Sequence, residues 1–144
     1  MIDKSKELTT NLILVNNRLH FEGHTEGQEP VQIDYIPPLG DNQGYTSLEL
    51  LLLSLSSCLG TAVLAFLRRM EKNITQLSIQ AHGLRRQEHP TGLEQIRLRM
   101  ELVSENTTLE DAQKVVAMAE EKYCPVWAMI RGNVEVQVEY VIRL

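Results

Sequence analysis

Two thiols carry the main chemical potential of this chain. Cys58 and Cys124 are its only cysteines and lie 66 residues apart. A thiolate can attack an electrophilic oxygen or sulfur, or ligate a metal. No Cys-x-x-Cys redox or zinc motif is present, and His20, His24, His82 and His89 hold no ligand spacing to either cysteine. The spacing therefore gives no support to a Cys-His hydrolase and little to a zinc site. Cys58 has small or apolar helix neighbours: Leu51, Ser54, Leu55, Thr61, Ala62 and Ala65. That setting suits an inert, packed thiol as well as a reactive one. Cys58 also stands twelve residues beyond Thr46, the expected helix start, where the helix dipole has faded. A lowered thiol pKa there would need a cation from elsewhere. Cys124 precedes Pro125 at a helix end, where a side chain can be aimed at another element.

The element that must position Cys58 is the uncharged run Leu50 to Leu67, LLLLSLSSCLGTAVLAFL. Its 18 residues reach the lower limit for a membrane span. Ser54, Ser56, Ser57, Gly60 and Thr61 lower its hydropathy, and no second such run exists, so a buried core helix is expected. Thr46-Ser47-Leu48-Glu49 has the capping-box form, which starts the helix at Ser47. It should end near Glu71, with Arg68, Arg69 and Lys72 complementing the dipole and Asn73 closing it.

Ahead of it, Leu12 to Val15, Arg18 to Glu22 and Val31 to Ile36 read as strands, with a tight hairpin at Asn16-Asn17 and a turn over Gly23 to Pro30. After it, Leu77 to Leu84 and Ile96 to Val103 alternate as two long strands joined by the turn Glu88 to Gly92. Thr108 and Asp111 cap a second helix with the apolar stripe Ala112, Val115, Val116 and Ala119, ending near Tyr123-Cys124-Pro125. Val126 to Ile130 suggests one more helical turn, and Val134 to Ile142 alternates strictly as the last strand. The order β-β-β-α-β-β-α-β gives an α+β fold in a single domain, residues 1–144.

Net charge is −5, from 14 basic and 19 acidic residues, and Arg68-Arg69 and Arg85-Arg86 are only pairs, so there is no reason to expect nucleic acid, which requires a basic face. The polar start MIDKSKELTTN lacks the apolar region of a secretion signal, so a cytoplasmic chain with reduced thiols is expected. A 25-residue first helix would be roughly 37 Å long and would cross a domain whose radius of gyration is roughly 14–15 Å. One sheet covers only part of it, so a second subunit should cover the rest.

Taken together, Ser47-Leu48-Glu49-Leu50-Leu51-Leu52, then Ser57-Cys58, then Glu121-Lys122-Tyr123-Cys124-Pro125 resemble the OsmC/Ohr family, the osmotically inducible and organic hydroperoxide resistance proteins. The Glu88-His89-Pro90 turn and the Glu-Lys-Tyr-Cys block look closest to its less characterised OsmC-like branch. Ser47 stands where the family pattern has proline. The resemblance implies strands packed around long central helices in an intertwined homodimer. It also implies a thiol peroxidase: Cys58 reduces an organic hydroperoxide, Cys124 forms a disulfide with the resulting sulfenic acid, and a dithiol such as a lipoylated protein restores both. Neither a cofactor, nor a metal, nor a membrane belongs to that scheme.

In peroxidase members a glutamate at the helix start and an N-terminal arginine support the thiolate. Glu49 matches the former, and Arg18 lies in the right part of the chain for the latter. Each has a plainer role, Glu49 as a helix cap and Arg18 as an exposed strand residue. Nine residues separate Glu49 from Cys58, roughly 180° around and 13 Å along a regular helix. Two other functions stay open: a redox-sensing or ligand-binding protein without efficient turnover, and a structural dimer with inert thiols.

Overall fold

The computed structural model describes residues 6–144. These form two compact units, divided after Leu50.

The first unit is a three-stranded antiparallel sheet, β1 (Asn11–Leu14), β2 (Phe21–His24) and β3 (Val31–Ile33), in that order. The first connection is wider than the two-residue hairpin expected at Asn16-Asn17. Asn16 Oδ1 accepts the backbone N–H groups of Arg18 and His20, at 2.9 and 3.1 Å. This side-chain turn holds residues 15–20 as a loop, closed by Val15 N–H donating to His20 C=O at 2.9 Å. Leu14 therefore pairs with Phe21, and Gly23 and His24 lie in β2 instead of in the following turn.

The third strand stops at Ile33 because the carboxylate of Asp34 draws the chain away from the ladder. Asp34 accepts the backbone N–H groups of Tyr35, Asp41 and Gln43 at 2.7, 3.2 and 3.1 Å. Residues 35–45 wind around it. Gly40 and Gly44 are needed there: a Cβ would come within 2.2 Å of the carbonyl oxygens of Tyr35 and Gln32 respectively.

The second unit holds the larger core. Its sheet has the order β4 (Ile74–Arg85), β5 (Leu93–Ser104), β6 (Glu135–Arg143), with β4 antiparallel and β6 parallel to β5. Both long strands extend beyond the alternating cores read from sequence, because their ladder runs on to Ile74↔Ser104 and Arg85↔Leu93. The parallel pairing needs a crossover. It is supplied by α2 (Leu109–Met118), a π-helical turn (Ala119–Tyr123) and α3 (Pro125–Ile130).

Alternate residues of β5, Ile96, Leu98, Met100 and Leu102, are fully buried. So are Leu55, Leu59, Val63 and Leu67 of α1 (Ser47–Arg69) and Ala112, Val115 and Ala119 of the crossover. Gly60 faces Leu77 and Ile79, and Leu52 lies on Gly83, which lets α1 cross β4 closely. Among the described residues α1 is the one helix long and apolar enough to cross a membrane. Its fully buried leucines make it a core helix of this unit.

The end of α1 departs from expectation. Glu71, at φ 59°, closes the helix in place of Asn73. Glu71 N–H donates to Arg68 C=O and Lys72 N–H to Leu67 C=O, the paired bonds of a Schellman cap. Asn73 instead donates its backbone N–H to Asn106 Oδ1 at 2.8 Å, while Asn106 Nδ2 donates to Glu71 C=O at 3.1 Å. Lys72 then meets Asp111 at 3.0 Å.

Candidate functional site

The capping box at the start of α1 is formed as its sequence requires. Thr46 N–H and Oγ1 both donate to Glu49 Oε1 at 2.9 Å, and Glu49 N–H returns to Thr46 Oγ1 at 3.3 Å. Those two bonds from Thr46, the backbone one first, hold the Glu49 carboxyl below its usual range. Glu49 is thus a complete helix cap in the first unit.

Arg18 belongs to the same unit, in the loop before β2, and is not a strand residue. Its guanidinium pairs with the Asp41 carboxylate and donates to the Pro38 carbonyl. Asn16 Nδ2 also reaches Asp41, at 3.3 Å. Asp41 and the buried Asp34 were both missed in sequence. Asp34 takes a polar position of the alternation VQIDYI, so the one signal was the Pro- and Gly-rich loop that follows it. His20 is engaged by Gln32 at 2.6 Å, and Gln32 by Glu22 at 3.0 Å.

In the second unit the two cysteines meet. Both are free thiols; Cys58 is half-buried and Cys124 is 1% exposed. The two thiols are close enough to influence each other's titration. Cys58 borders the fully buried ridge Leu55, Leu59 and Val63. Cys124 stands between the π turn and α3, where it precedes Pro125 at the first helical position. Burial, then the neighbouring Cys58 side chain, push the Cys124 thiol up to about 11. The backbone N–H groups of Trp127 and Val126 oppose that rise, but less strongly. Cys124 is therefore a protonated thiol at neutral pH, beside a more accessible one.

Tyr123, which precedes Cys124, meets Phe66 of α1, a contact that no local sequence pattern indicates. Tyr123 and Phe66 hold their ring centroids 4.7 Å apart, tilted by 60°. Lys122 lies over the Tyr123 ring at 5.4 Å and Arg69 over the Phe66 ring at 5.6 Å, so cations cover both ends. Among the described residues no group of three or more His, Cys, Asp or Glu side chains could hold a metal ion. The arrangement suits two-electron thiol–disulfide chemistry: adjacent sulfurs, one open to a reactant and one shielded.

Comparison with known proteins agrees on fold and family. The chain is 18% identical to an OsmC-like protein from Mycoplasma pneumoniae, with a TM-score of 0.83 over 97% of this chain and 99% of that one. A hypothetical protein from Aquifex aeolicus is 24% identical, with a TM-score of 0.81 over 94% and 95%. An organic hydroperoxide resistance protein OsmC from Legionella pneumophila is 20% identical, with a TM-score of 0.69 over 93% and 97%. At these identities the likeness establishes the fold. No curated protein matches the sequence. The family model described as OsmC-like protein matches residues 40–139. Glu49, Cys58 and Cys124 fall inside that span and Arg18 outside it, and with most of the chain matched, this protein belongs to the OsmC-like protein family.

Proposed function

We propose that this chain is a thiol-dependent peroxidase that reduces organic hydroperoxides to alcohols. The observation that carries the reading is the pair of neighbouring free thiols, one half-buried and one buried. The Cys58 thiolate attacks the distal peroxide oxygen. The O–O bond breaks, the alkoxide leaves and takes a proton, and Cys58 becomes a sulfenic acid. The Cys124 sulfur then attacks the Cys58 sulfur, expelling the hydroxyl as water and closing a disulfide. A dithiol restores both thiols by exchange and leaves as its own disulfide. A lipoylated protein is a reductant of this class, and such a supply belongs to the reducing cytoplasm. The apolar residues of α1 beside Cys58 favour a greasy hydroperoxide over a polar one.

Glu49 enters the proposal as a support for the reaction in addition to its cap. A homodimer is part of the same reading. Its support is apolar surface on a single chain: Leu12, Ile13 and Leu14 of β1 and Leu53 of α1 are each at least half exposed. The first sheet adds a groove of about 370 Å³ lined by Leu12, Gly23, Val31, Ile33 and Leu50.

The test is consumption of cumene hydroperoxide with dihydrolipoamide as reductant. Wild type turns over, Cys58→Ser loses all activity, and Cys124→Ser stops after the first oxidation unless the small dithiol reduces the sulfenic acid directly. No consumption with any dithiol would reject the peroxidase. One observation favours a second reading, a redox sensor or ligand-binding protein without efficient turnover. Arg18, the arginine matched to the family pattern, is already committed to Asp41 and Pro38. That reading expects slow, stoichiometric oxidation of Cys58.

A further inference from the structure

The crossover contains one residue more than a regular helix would use. Its buried stripe runs Ala112, Val115, Val116 and Ala119, and at 3.6 residues per turn the next inward position would be Tyr123. Tyr123 is instead 44% exposed and Cys124 takes the inward position. The π turn produces this shift. Cys124 N–H donates to Ala119 C=O at 2.8 Å, five residues back instead of four. A regular helix and a π turn therefore compete for the same segment. The first puts the tyrosine inward, the second puts the cysteine against Cys58.

What distinguishes the two registers is the ring pair. In the observed one, Tyr123 lies on Phe66 of α1, eight residues after Cys58, with Lys122 and Arg69 covering the outer faces. In the alternative the phenol would enter a buried stripe built from alanine and valine, where a larger side chain overpacks the core. The π turn otherwise costs helix geometry, since such turns are rare in helices.

We infer that Tyr123, stacked on Phe66, is a positioning residue: it holds the π turn in the register that aims Cys124 at Cys58. The inference rests on the proposed pairing of the two sulfurs. Removing one residue between Ala119 and Tyr123 would leave Cys124 four residues after Ala119, the same face of a regular helix, with no π turn to hold. Glu121 is exposed and lies within that interval.

The experiment is the equilibrium of the full chain with glutathione, in which two glutathiones and the Cys58–Cys124 disulfide exchange with the dithiol and oxidised glutathione. Tyr123→Phe keeps the ring and leaves the equilibrium within about twofold of wild type. Tyr123→Ala shifts it about tenfold toward the dithiol, a potential about 30 mV more oxidising. Deleting Glu121 in the Tyr123→Ala background returns it to within about threefold of wild type, because the regular helix now presents the cysteine unaided. Tyr123→Leu is read the same way if the alanine variant does not fold. A Tyr123→Ala equilibrium equal to wild type overturns the inference. So does a shifted equilibrium that the deletion fails to restore, because the ring would then act by general packing and not through register. No peroxide enters this measurement, so a chain that forms the disulfide normally but consumes no hydroperoxide would sink the proposed function and leave the positioning role standing.

Discussion

Burial is the largest cause of the raised Cys124 thiol, ahead of the neighbouring Cys58. The Cys124 thiol lies at about 11 in the fold against 9.0 ordinarily. Closure of the disulfide should then accelerate as pH rises from 7 toward 10, by about tenfold per unit, since only the thiolate attacks. Rapid-mixing fluorescence or quenched alkylation measures this; a flat profile would mean that Cys124 is not the attacking group. The same shift predicts a stability effect. A folded pKa above the unfolded one contributes stability that is complete below pH 9 and fades as pH rises through about 11. Glu49 offers a separate test at this scale. Glu49→Gln can keep the box with Thr46, whereas Glu49→Ala loses it and destabilises by about 1 kcal/mol. Full peroxidase turnover in the glutamine variant would assign Glu49 to capping alone, and a loss of turnover with unchanged melting would assign it a part in the chemistry. The cap formed by Glu49 was legible in the sequence because it sits in a four-residue pattern, whereas the meeting of Cys58 and Cys124 was implied only by the family resemblance. Asp34 and Tyr123 were not legible, because their roles arise from a loop and a ring that only the folded chain brings to them.

The elements divide along a similar line. Both capping boxes, Thr46 with Glu49 and Thr108 with Asp111, formed where a four-residue pattern announced them. The stripe of α2 and the alternation of β6 were equally readable, since each has one wet and one dry face. Helix closure at Glu71 was hidden. Nothing local favours a glutamate with positive φ over Asn73, and the choice follows from Asn106, which holds both Glu71 C=O and Asn73 N–H. Glu71→Gly should therefore stabilise the chain, by about 0.5–1 kcal/mol, because glycine adopts this conformation without a Cβ clash. Thermal unfolding would register a rise of about 2–4 °C. A lower melting temperature would contradict the Schellman closure. The π turn was unreadable for a related reason: five residues separate Ala119 from Cys124, and a regular period applied to that stretch puts Tyr123 inside.

At the scale of the whole molecule, an α+β fold was legible from element order alone, and it holds across relatives less than 25% identical. The parallel placement of β6 beside β5 was not, since strand order is set by which edge the crossover reaches. Leucines and isoleucine exposed on β1, with Leu53 on α1, predict that sedimentation will find a dimer at micromolar concentration; a stable monomer there would remove the second subunit from the account. The claim on which the rest depends is that one peroxide oxidises one pair of sulfurs. Intact-mass and peptide analysis after adding one equivalent of cumene hydroperoxide to the reduced chain tests it most directly. The account predicts loss of two hydrogens and a single Cys58–Cys124 cross-link, with Cys124→Ser trapping one added oxygen on Cys58. Unmodified thiols after that treatment, or oxygen added at Cys124 with Cys58 untouched, would contradict it.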